Sequence, residues 1–158
     1  MLEIVELKPD LTAKLTEFFG RITADPATVH FHPHELTGKE AECRCSYAGL
    51  DHYAVLIHEN AISAYGMLRG WDRGYEIPSL GICVLPSDRG RGFGQLMMNY
   101  LHIVALCKGA TFVRLKVHPA NPNAVRLYKR LGYQFLSELE AGQLVGYWPA
   151  LPPLSNLR

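Results

Sequence analysis

The sequence carries little excess charge, because 16 lysines and arginines stand against 15 aspartates and glutamates and leave a formal net charge of +1. Such a balance supplies little of the long-range field that draws a protein to nucleic acid or anionic lipid. Long apolar runs are also missing: none approaches the roughly 18 residues that a membrane-spanning helix needs. Glu3 and Glu6 stand where a secretory signal would carry lysines. We therefore expect a cytoplasmic protein without nucleic-acid or membrane partners.

Cysteine is scarce as well, with four irregularly spaced residues, which are Cys43, Cys45, Cys83 and Cys107. That number is too small for a disulfide scaffold, so reduced thiols are expected. Some of these cysteines and three nearby histidines have side chains that bind zinc: His30, His32, His34, Cys43 and Cys45. Their His-x-His and Cys-x-Cys spacings differ from the pairs of common structural zinc sites. We expect no bound metal, and a zinc-binding module remains the alternative.

Hydrophobic periodicity divides the chain into strands and helices. Apolar residues at helical spacing predict amphipathic helices between Leu11 and Ile22 and between Phe93 and Val104. Two apolar runs around a turn at 59–61 predict a hairpin, and a third strand is expected over Tyr75 to Leu85. The predicted order is βα(α)βββαβαββ, a mixed α/β fold with a largely antiparallel sheet and one strand–helix–strand crossover.

No repeat or linker interrupts the chain, so we expect a single domain over residues 1–158. The last two predicted strands cover Tyr133 to Leu139 and Leu144 to Trp148. A proline-rich tail follows at 149–158. Proline has no N–H to donate to a neighbouring strand, so this tail is expected to be peripheral.

The most informative segment lies between the strand predicted over Tyr75 to Leu85 and the helix that begins near Phe93. Gly90, Gly92 and Gly94 alternate there, which lets successive backbone N–H groups converge beside a helix amino terminus. Such a loop binds phosphate, and Arg89 and Arg91 add positive charge. It is not a P-loop, because no Gly-Lys-Ser/Thr ending follows. It is not a dinucleotide-binding fingerprint either, because the third glycine of G-x-G-x-x-G is missing. A glycine-rich turn without a ligand is the alternative.

Two motifs together resemble one family. Arg89-x-x-Gly92-x-Gly94, after Val84-x-Pro86, resembles the pyrophosphate loop of the GNAT superfamily of acetyl-CoA-dependent N-acetyltransferases. The segment from Asn121 to Tyr133 resembles the later family motif N-x-x-A-x-x-L-Y-x-x-x-G-F. The two motifs occur in the family's order and at its usual separation. The resemblance implies a GNAT-like fold, with acetyl-CoA as co-substrate.

The resemblance also implies roles for individual residues. The strand before the loop would contribute main-chain groups to the pantetheine arm, from Ile82, Cys83 and Val84. The loop would bind the pyrophosphate through Arg89, Gly90, Arg91, Gly92, Phe93, Gly94 and Gln95. Asn121 matches a cofactor-contacting position, although asparagine before Pro122 is also a common helix cap. Tyr128 matches the family's tyrosine that protonates the CoA thiolate, although it also lies on the apolar face of its helix.

The base is harder to assign. Many family members carry a glutamate at the position that aligns with Pro78, and this chain has Glu76 two residues earlier. Period-2 geometry would place both positions on one face of a strand, so Glu76 could act as the base, directly or through water. Ser79 and His118 are further candidates for a water relay. The alternative is a solvated glutamate at the end of a strand.

Several residues outside the motifs remain open. The region between the first two helices shapes the acceptor pocket in the family, so Phe31, His32 and His34, with Glu35 beside them, are expected to border it. Cys83 could carry an acyl group, although a cysteine among apolar residues usually packs as a small hydrophobe. A polar hairpin tip could contact substrate or a second subunit, or could be a solvated turn: Arg69, Trp71, Asp72 and Arg73.

The resemblance implies acetyl transfer from acetyl-CoA directly to a primary amine in a ternary complex. A small metabolite or amino sugar is the expected acceptor. Glu76 and Tyr128 are the expected catalytic residues. A protein amino terminus, as in the ribosomal-protein acetyltransferases, is the second candidate. A catalytically idle CoA-binding sensor is an alternative of another class. The sequence leaves the choice of acyl group and a homodimer open.

Overall fold

The computed structural model describes residues 1–150. A seven-stranded sheet has the order β1-β2-β3-β4-β5-β7-β6. Its neighbouring strands are antiparallel except β4 and β5, which are parallel. The strands are β1 (Leu2–Glu6), β2 (His52–His58), β3 (Ala61–Arg69), β4 (Ser79–Val84), β5 (Phe112–Val117), β6 (Gln134–Phe135) and β7 (Leu144–Pro149). This topology confirms the predicted mixed α/β fold with its largely antiparallel sheet.

Helices cover both faces of the sheet. They are α1 (Thr12–Thr23), α2 (Gly38–Cys45), α3 (Phe93–Cys107) and α4 (Pro122–Arg130). One apolar core joins α1 and α2 to alternate residues of β2 and β3, such as Val55 and Tyr65. The second core joins α3 and α4 to the opposite face, through residues such as Leu56 and Leu115. This division follows from the alternation of side chains along each strand.

The strand β4 begins later than predicted. Tyr75 donates its N–H to the C=O of Gly70 at 3.0 Å, which closes a loop after the hairpin tip. Pro78 has no N–H to donate, and regular pairing with β3 begins only at the next residue, where Ser79 lies opposite Arg69. Residues 75–78 are therefore loop rather than strand.

The end of the described chain also differs from the prediction. Pro149 belongs to β7 and lies opposite Phe112 of β5, so the strand includes the residue at which the peripheral tail was expected to begin. Proline is tolerated there because β6 pairs with β7 only as far as Tyr147, and no other strand of residues 1–150 pairs with this end of β7 on that side. Ala150 is buried and donates its N–H to Thr111 at 2.9 Å. Residues 151–158 of the predicted tail lie outside the described residues.

His102 links α3 to the last part of the sheet. Its ring stacks on Trp148 with centroids 4.0 Å apart, and its Nε2 lies 2.8 Å from the hydroxyl of Tyr133. Burial lowers the pKa of His102 to about 4, because a charged imidazolium loses its hydration there. The native protein therefore keeps this ring neutral at physiological pH.

We expect this histidine to make folding pH-dependent. Between pH 6.5 and 4, His102 binds a proton in the unfolded chain but stays neutral in the native protein. The free energy of unfolding therefore falls by about 2–3 kcal/mol as the pH drops through that window. The His102→Gln variant keeps a polar partner for Tyr133 and does not titrate. Urea unfolding at pH 7.5 and 4.5 should show a smaller loss in the variant than in the parent. An equal loss in both proteins would contradict this assignment.

Candidate active site

Two strands of the sheet separate part-way along their length. β4 and β5 are paired through Ser79–Arg114 and Leu80–Leu115, and Arg114 also donates its N–H to the C=O of Pro78 at 2.9 Å. No further β4–β5 pairing occurs within residues 1–150. A cleft of about 710 Å³ lies beyond these pairs, between the second half of β4 and the end of β5.

The register of β3 and β4 decides which main-chain groups face this cleft. Leu85 donates its N–H to Ser63 of β3 at 2.9 Å, and main-chain direction alternates along a strand. Odd-numbered residues of β4 therefore pair with β3, and even-numbered ones point towards β5. Ile82 and Val84 present their N–H and C=O groups to the cleft. The predicted main-chain contribution of Cys83 does not fit this register, because its groups pair with β3.

The amino terminus of α3 faces the same cleft. Gly90 and Gly92 have φ angles of 76° and 83°, a left-handed conformation that favours glycine. No side chain caps α3, whereas Thr37 and Asn121 cap α2 and α4. The N–H groups of residues 93–95 thus have no partner within their helix and carry its partial positive charge. This arrangement suits a phosphate group.

Positive side chains also line this cleft. Arg89, Lys116 and Arg130 line the cleft, as does His118 at the end of β5. The His118 ring stacks on that of His30, which follows α1, with centroids 3.9 Å apart. The cleft is therefore bordered by groups from both sides of the strand separation, and several of them are cationic.

Arg91 does not share this orientation. Its guanidinium contacts Asp88 at 3.2 Å and Nε2 of His58 at 3.3 Å. It also lies 4.9 Å from the centroid of the Phe93 ring. Arg91 is absent from the cleft lining, unlike Arg89. Its side chain is thus committed to contacts outside the cleft, although the sequence motif treats the two arginines alike.

Tyr128 lies on α4 and reaches the cleft from the second core. Burial raises the pKa of its phenol to about 12, and the neighbouring Cys83 also raises it. Burial likewise raises the pKa of the Cys83 thiol to about 12, against the opposing charge of Arg89. Both groups are therefore protonated at neutral pH: the phenol has a proton that it can donate, and the thiol is a poor nucleophile.

A second cavity of about 960 Å³ opens on the other side of the paired residues, on the face of the sheet that α1 and α2 cover in part. A single row across β3, β4, β5 and β7 forms its floor. The four residues of this row, hereafter the floor row, are Arg69, Ser79, Arg114 and Tyr147. The Leu80–Leu115 pair separates the floor row from the cleft. The two cavities thus meet at one short stretch of sheet.

A family model described as "Acetyltransferase (GNAT) family" matches residues 16–133 of the chain. The chain belongs to the GNAT family. The resemblance found in the two sequence motifs is thereby confirmed. The match runs from within α1 to just beyond the end of α4.

Relatives and solved structures agree with this membership. The chain is 46% identical over 59 residues to a thialysine N-epsilon-acetyltransferase of Mus musculus. These residues make up 37% of this chain and 35% of that protein. The chain thus spans about a third of the length of this curated relative. The ribosomal-protein-S18-alanine N-acetyltransferase of Escherichia coli has the same fold, with a TM-score of 0.72, 17% identity and coverage of 100% and 99%. An acetyltransferase of Salmonella typhimurium solved with acetyl-CoA gives a TM-score of 0.73 at 14% identity, covering 96% and 95%.

The predicted GNAT base lies in the second cavity. Glu76 is exposed and lines the cavity from the loop before β4. Because β4 begins at Ser79, the period-2 argument that placed Glu76 and Pro78 on one strand face does not apply. Glu76 is therefore a residue of the cavity rim, and its catalytic role stays a prediction.

The three residues expected at the GNAT acceptor pocket separate in the structure. Phe31 lines the cleft and packs edge-on against Tyr65, with centroids 6.4 Å apart. His34 points into the protein, where its Nε2 lies 2.8 Å from the hydroxyl of Tyr65. Burial lowers the pKa of His34. His32 is exposed and lines neither cavity.

Asn121 lies at the cleft and also caps α4. Its Oδ1 accepts the N–H of Ala124 at 3.2 Å. The capping interpretation is therefore correct for the side-chain oxygen. The amide nitrogen remains the group that Asn121 can offer to a ligand in the cleft.

Two residues of the hairpin tip, Trp71 and Asp72, make contacts within the protein. Asp72 accepts the hydroxyl hydrogen of Tyr47 and the N–H of Leu50, and the Trp71 ring centroid lies 4.9 Å from the Lys108 ammonium.

Within residues 1–150, no three His, Cys, Asp or Glu side chains are grouped to hold a metal ion. The same part of the chain contains no helix that is long and apolar enough to cross a membrane.

Sequence reasoning missed Arg114 and Tyr147 of the floor row. A signal for Arg114 was available: Val113, Leu115 and Val117 alternate on the buried face of β5, so Arg114 had to point to the opposite face. No such signal existed for Tyr147, because its place depends on how β7 pairs with β5.

We expect the cysteines to differ widely in reactivity. Because the pKa of the Cys83 thiol is raised from 9.0 to about 12, its thiolate fraction at pH 8 is about a thousandfold smaller than that of an ordinary thiol. Cys43 and Cys107 are exposed. Iodoacetamide labelling followed by peptide mass spectrometry should modify Cys43 and Cys107 first. Alkylation of Cys83 at the rate of the exposed thiols would revive its candidacy as a nucleophile.

Proposed function

We propose that this protein transfers an acetyl group from acetyl-CoA directly to a primary amine of a small metabolite or amino sugar, with both substrates bound at once. The observation that carries the proposal is the short β4–β5 ladder, which has the phosphate-suited cleft beyond one end and a separate cavity beyond the other. Two substrates can enter these cavities independently and meet at the ladder. Direct transfer then needs no acyl-enzyme, in keeping with the protonated Cys83 thiol.

The cleft residues fit acetyl-CoA part by part. Ile82 and Val84 offer main-chain groups to the pantetheine amides, as a further strand would. The N–H groups of residues 93–95 and the side chain of Arg89 suit the pyrophosphate. When bound, acetyl-CoA supplies an activated acetyl thioester. The protein's own contribution is to orient this group and to manage two protons.

Glu76 and Tyr128 would manage these protons. An amine with an ordinary pKa near 10.4 is mostly protonated at neutral pH and cannot attack. Glu76 accepts its proton, directly or through water held by Ser79, which lines the same cavity. His118 lies in the cleft on the other side of the ladder and is not proposed for this relay. The amine nitrogen then bonds to the carbonyl carbon as the carbon–sulfur bond breaks. Tyr128 donates a proton to the departing sulfur, since its raised pKa keeps the phenol protonated until that step. The phenolate that remains takes up the second proton, which the nitrogen releases as the amide forms.

A small acceptor suits the second cavity. Its volume of about 960 Å³ lies within the range of small-molecule sites. A protein amino terminus is the second candidate acceptor, supported by the full-length fold match to the S18-alanine acetyltransferase. Acetyl-CoA turnover with a panel of amines and amino-terminal peptides decides between them. Absence of turnover with every acceptor, together with CoA binding, would favour the idle sensor.

Paired glycine variants test the proposed CoA cleft. Gly92 and Gly109 have φ angles of 83° and 79°, and each has open space where a side chain would stand, so glutamine costs a similar backbone strain of about 1–2 kcal/mol at each. They lie at opposite ends of α3, and only Gly92 lines the cleft. Thermal unfolding with acetyl-CoA at ~100 times its Kd should raise the Tm of the parent and of Gly109→Gln by roughly 5–10 °C. Gly92→Gln should lose most of this shift, and an equal shift in both variants would contradict the assignment.

Paired tyrosine variants test the proposed acid. Tyr128→Phe should lower kcat about 10²-fold, since it removes the proton donor, while the Kd for CoA changes less than twofold. Tyr100→Phe removes the same atom at a site outside both cavities, where the hydroxyl contacts His52 at 2.9 Å. Steady-state rates of thiol release should therefore be near the parent value for Tyr100→Phe. A Tyr128→Phe enzyme with unchanged kcat would end the acid assignment.

A further inference from the structure

The floor row contains a cation that forms no ion pair within the described part of the chain. Arg69 ends β3 and is half-buried in the second cavity. Among residues 1–150, no carboxylate lies within 4.0 Å of its guanidinium. A partly buried charge of this kind is stabilised when a counter-ion binds it.

The other arginines of the cavity are differently placed. Arg44 is bound to Glu40 at 2.6 Å and donates to the hydroxyl of Tyr53 at 2.7 Å. Arg114 is bound to Glu140, which also contacts Lys116. Arg73 is exposed on the turn after β3. Arg69 is therefore the guanidinium on the cavity floor that has charge available for a ligand.

The acidic residues of the cavity also divide into occupied and available groups. Asp51 accepts the N–H groups of Gly70 and Asp72, and Asp72 accepts the hydroxyl hydrogen of Tyr47. These carboxylates hold the hairpin tip in place. Glu76 makes no hydrogen bond or ion pair among the described residues, and it lines the same cavity as Arg69. Besides the exposed Arg73 on the turn, Arg69 and Glu76 are thus the charged groups of this cavity that are available to a ligand among the described residues.

From this arrangement we propose that the acceptor is a small amine that also carries an anionic group, a carboxylate or a phosphate, which Arg69 binds. The inference rests on the proposed acetyl transfer and narrows its acceptor. Arg69 lies one strand from Ser79 in the floor row, next to the ladder at which the amine must meet the thioester. The anion therefore anchors one end of the acceptor beside the reacting end, while Glu76 attracts the ammonium. A polyamine without an anion would leave Arg69 unpaired and would meet its repulsion.

Matched acceptor pairs test the anionic group. L-lysine differs from cadaverine by one carboxylate, and glucosamine 6-phosphate differs from glucosamine by one phosphate. The kcat/KM of the parent protein should be at least tenfold higher for the anionic member of one pair, and the responding pair identifies carboxylate or phosphate. Arg69→Gln should reduce this ratio to near one by lowering the anionic member alone. Arg21→Gln, which removes a positive charge outside both cavities, should keep the parent ratio.

Binding without acetyl-CoA separates this inference from the proposed function. Calorimetric titration of the same four compounds should show tighter binding of the anionic member and loss of that preference in Arg69→Gln. Anion-dependent binding without any acetylation would support the anchor and refute the transferase activity. Acetylation with equal kcat/KM within both pairs would overturn the anchor and leave the transferase intact. Failure of both anionic compounds to bind the folded parent protein, or equal losses in Arg69→Gln for both members of a pair, would also overturn it.

Discussion

The parallel pairing of β4 with β5 ends after two residue pairs, and both cavities depend on this early ending. A longer ladder would consume the main-chain groups of Ile82 and Val84 and close the cleft between the strands. A shorter one would detach the half of the sheet that carries Arg114 and Tyr147 from the half that carries Arg69. The two pairs are therefore a compromise between holding the sheet together and leaving it open.

Burial controls the chemistry on the cleft side of this ladder. Tyr128 and Cys83 approach each other from opposite cores, and desolvation raises the pKa of both groups to about 12. The same physical effect has opposite consequences for them, because a phenol acts as an acid in its protonated form and a thiol acts as a nucleophile only after losing its proton. On the other side of the ladder the side chains are more exposed, and ion pairs determine which charges remain available.

The features that sequence predicted are those that short segments determine. Glycines beside an apolar helix mark the phosphate-suited loop whatever the rest of the chain does, and Asn121 before Pro122 marks a helix start. Side-chain period also predicted the strand and helix order. These signals cover the fold and most of the cleft.

The remaining features depend on pairing between distant segments. The late start of β4 and the direction of the Cys83 main chain follow from its register with β3, which no local pattern reports. Arg91, unlike Arg89, does not line the cleft, because its guanidinium contacts Phe93 and His58 instead. His58 belongs to β2, which is distant in the sequence. The second cavity could not be predicted from the sequence for the same reason, since its floor row contains one residue from each of four strands.

The floor row also has a consequence for the order in which the protein can assemble. β5 is flanked by β4, which precedes it in the chain, and by β7, which follows it by way of α4 and β6. A chain emerging from the ribosome can form the β2–β4 meander from contacts close in sequence. Tyr147 joins Arg114 only after the residues of β7 have been synthesised. The phosphate-suited loop is thus complete roughly 50 residues of synthesis before the second cavity has its floor.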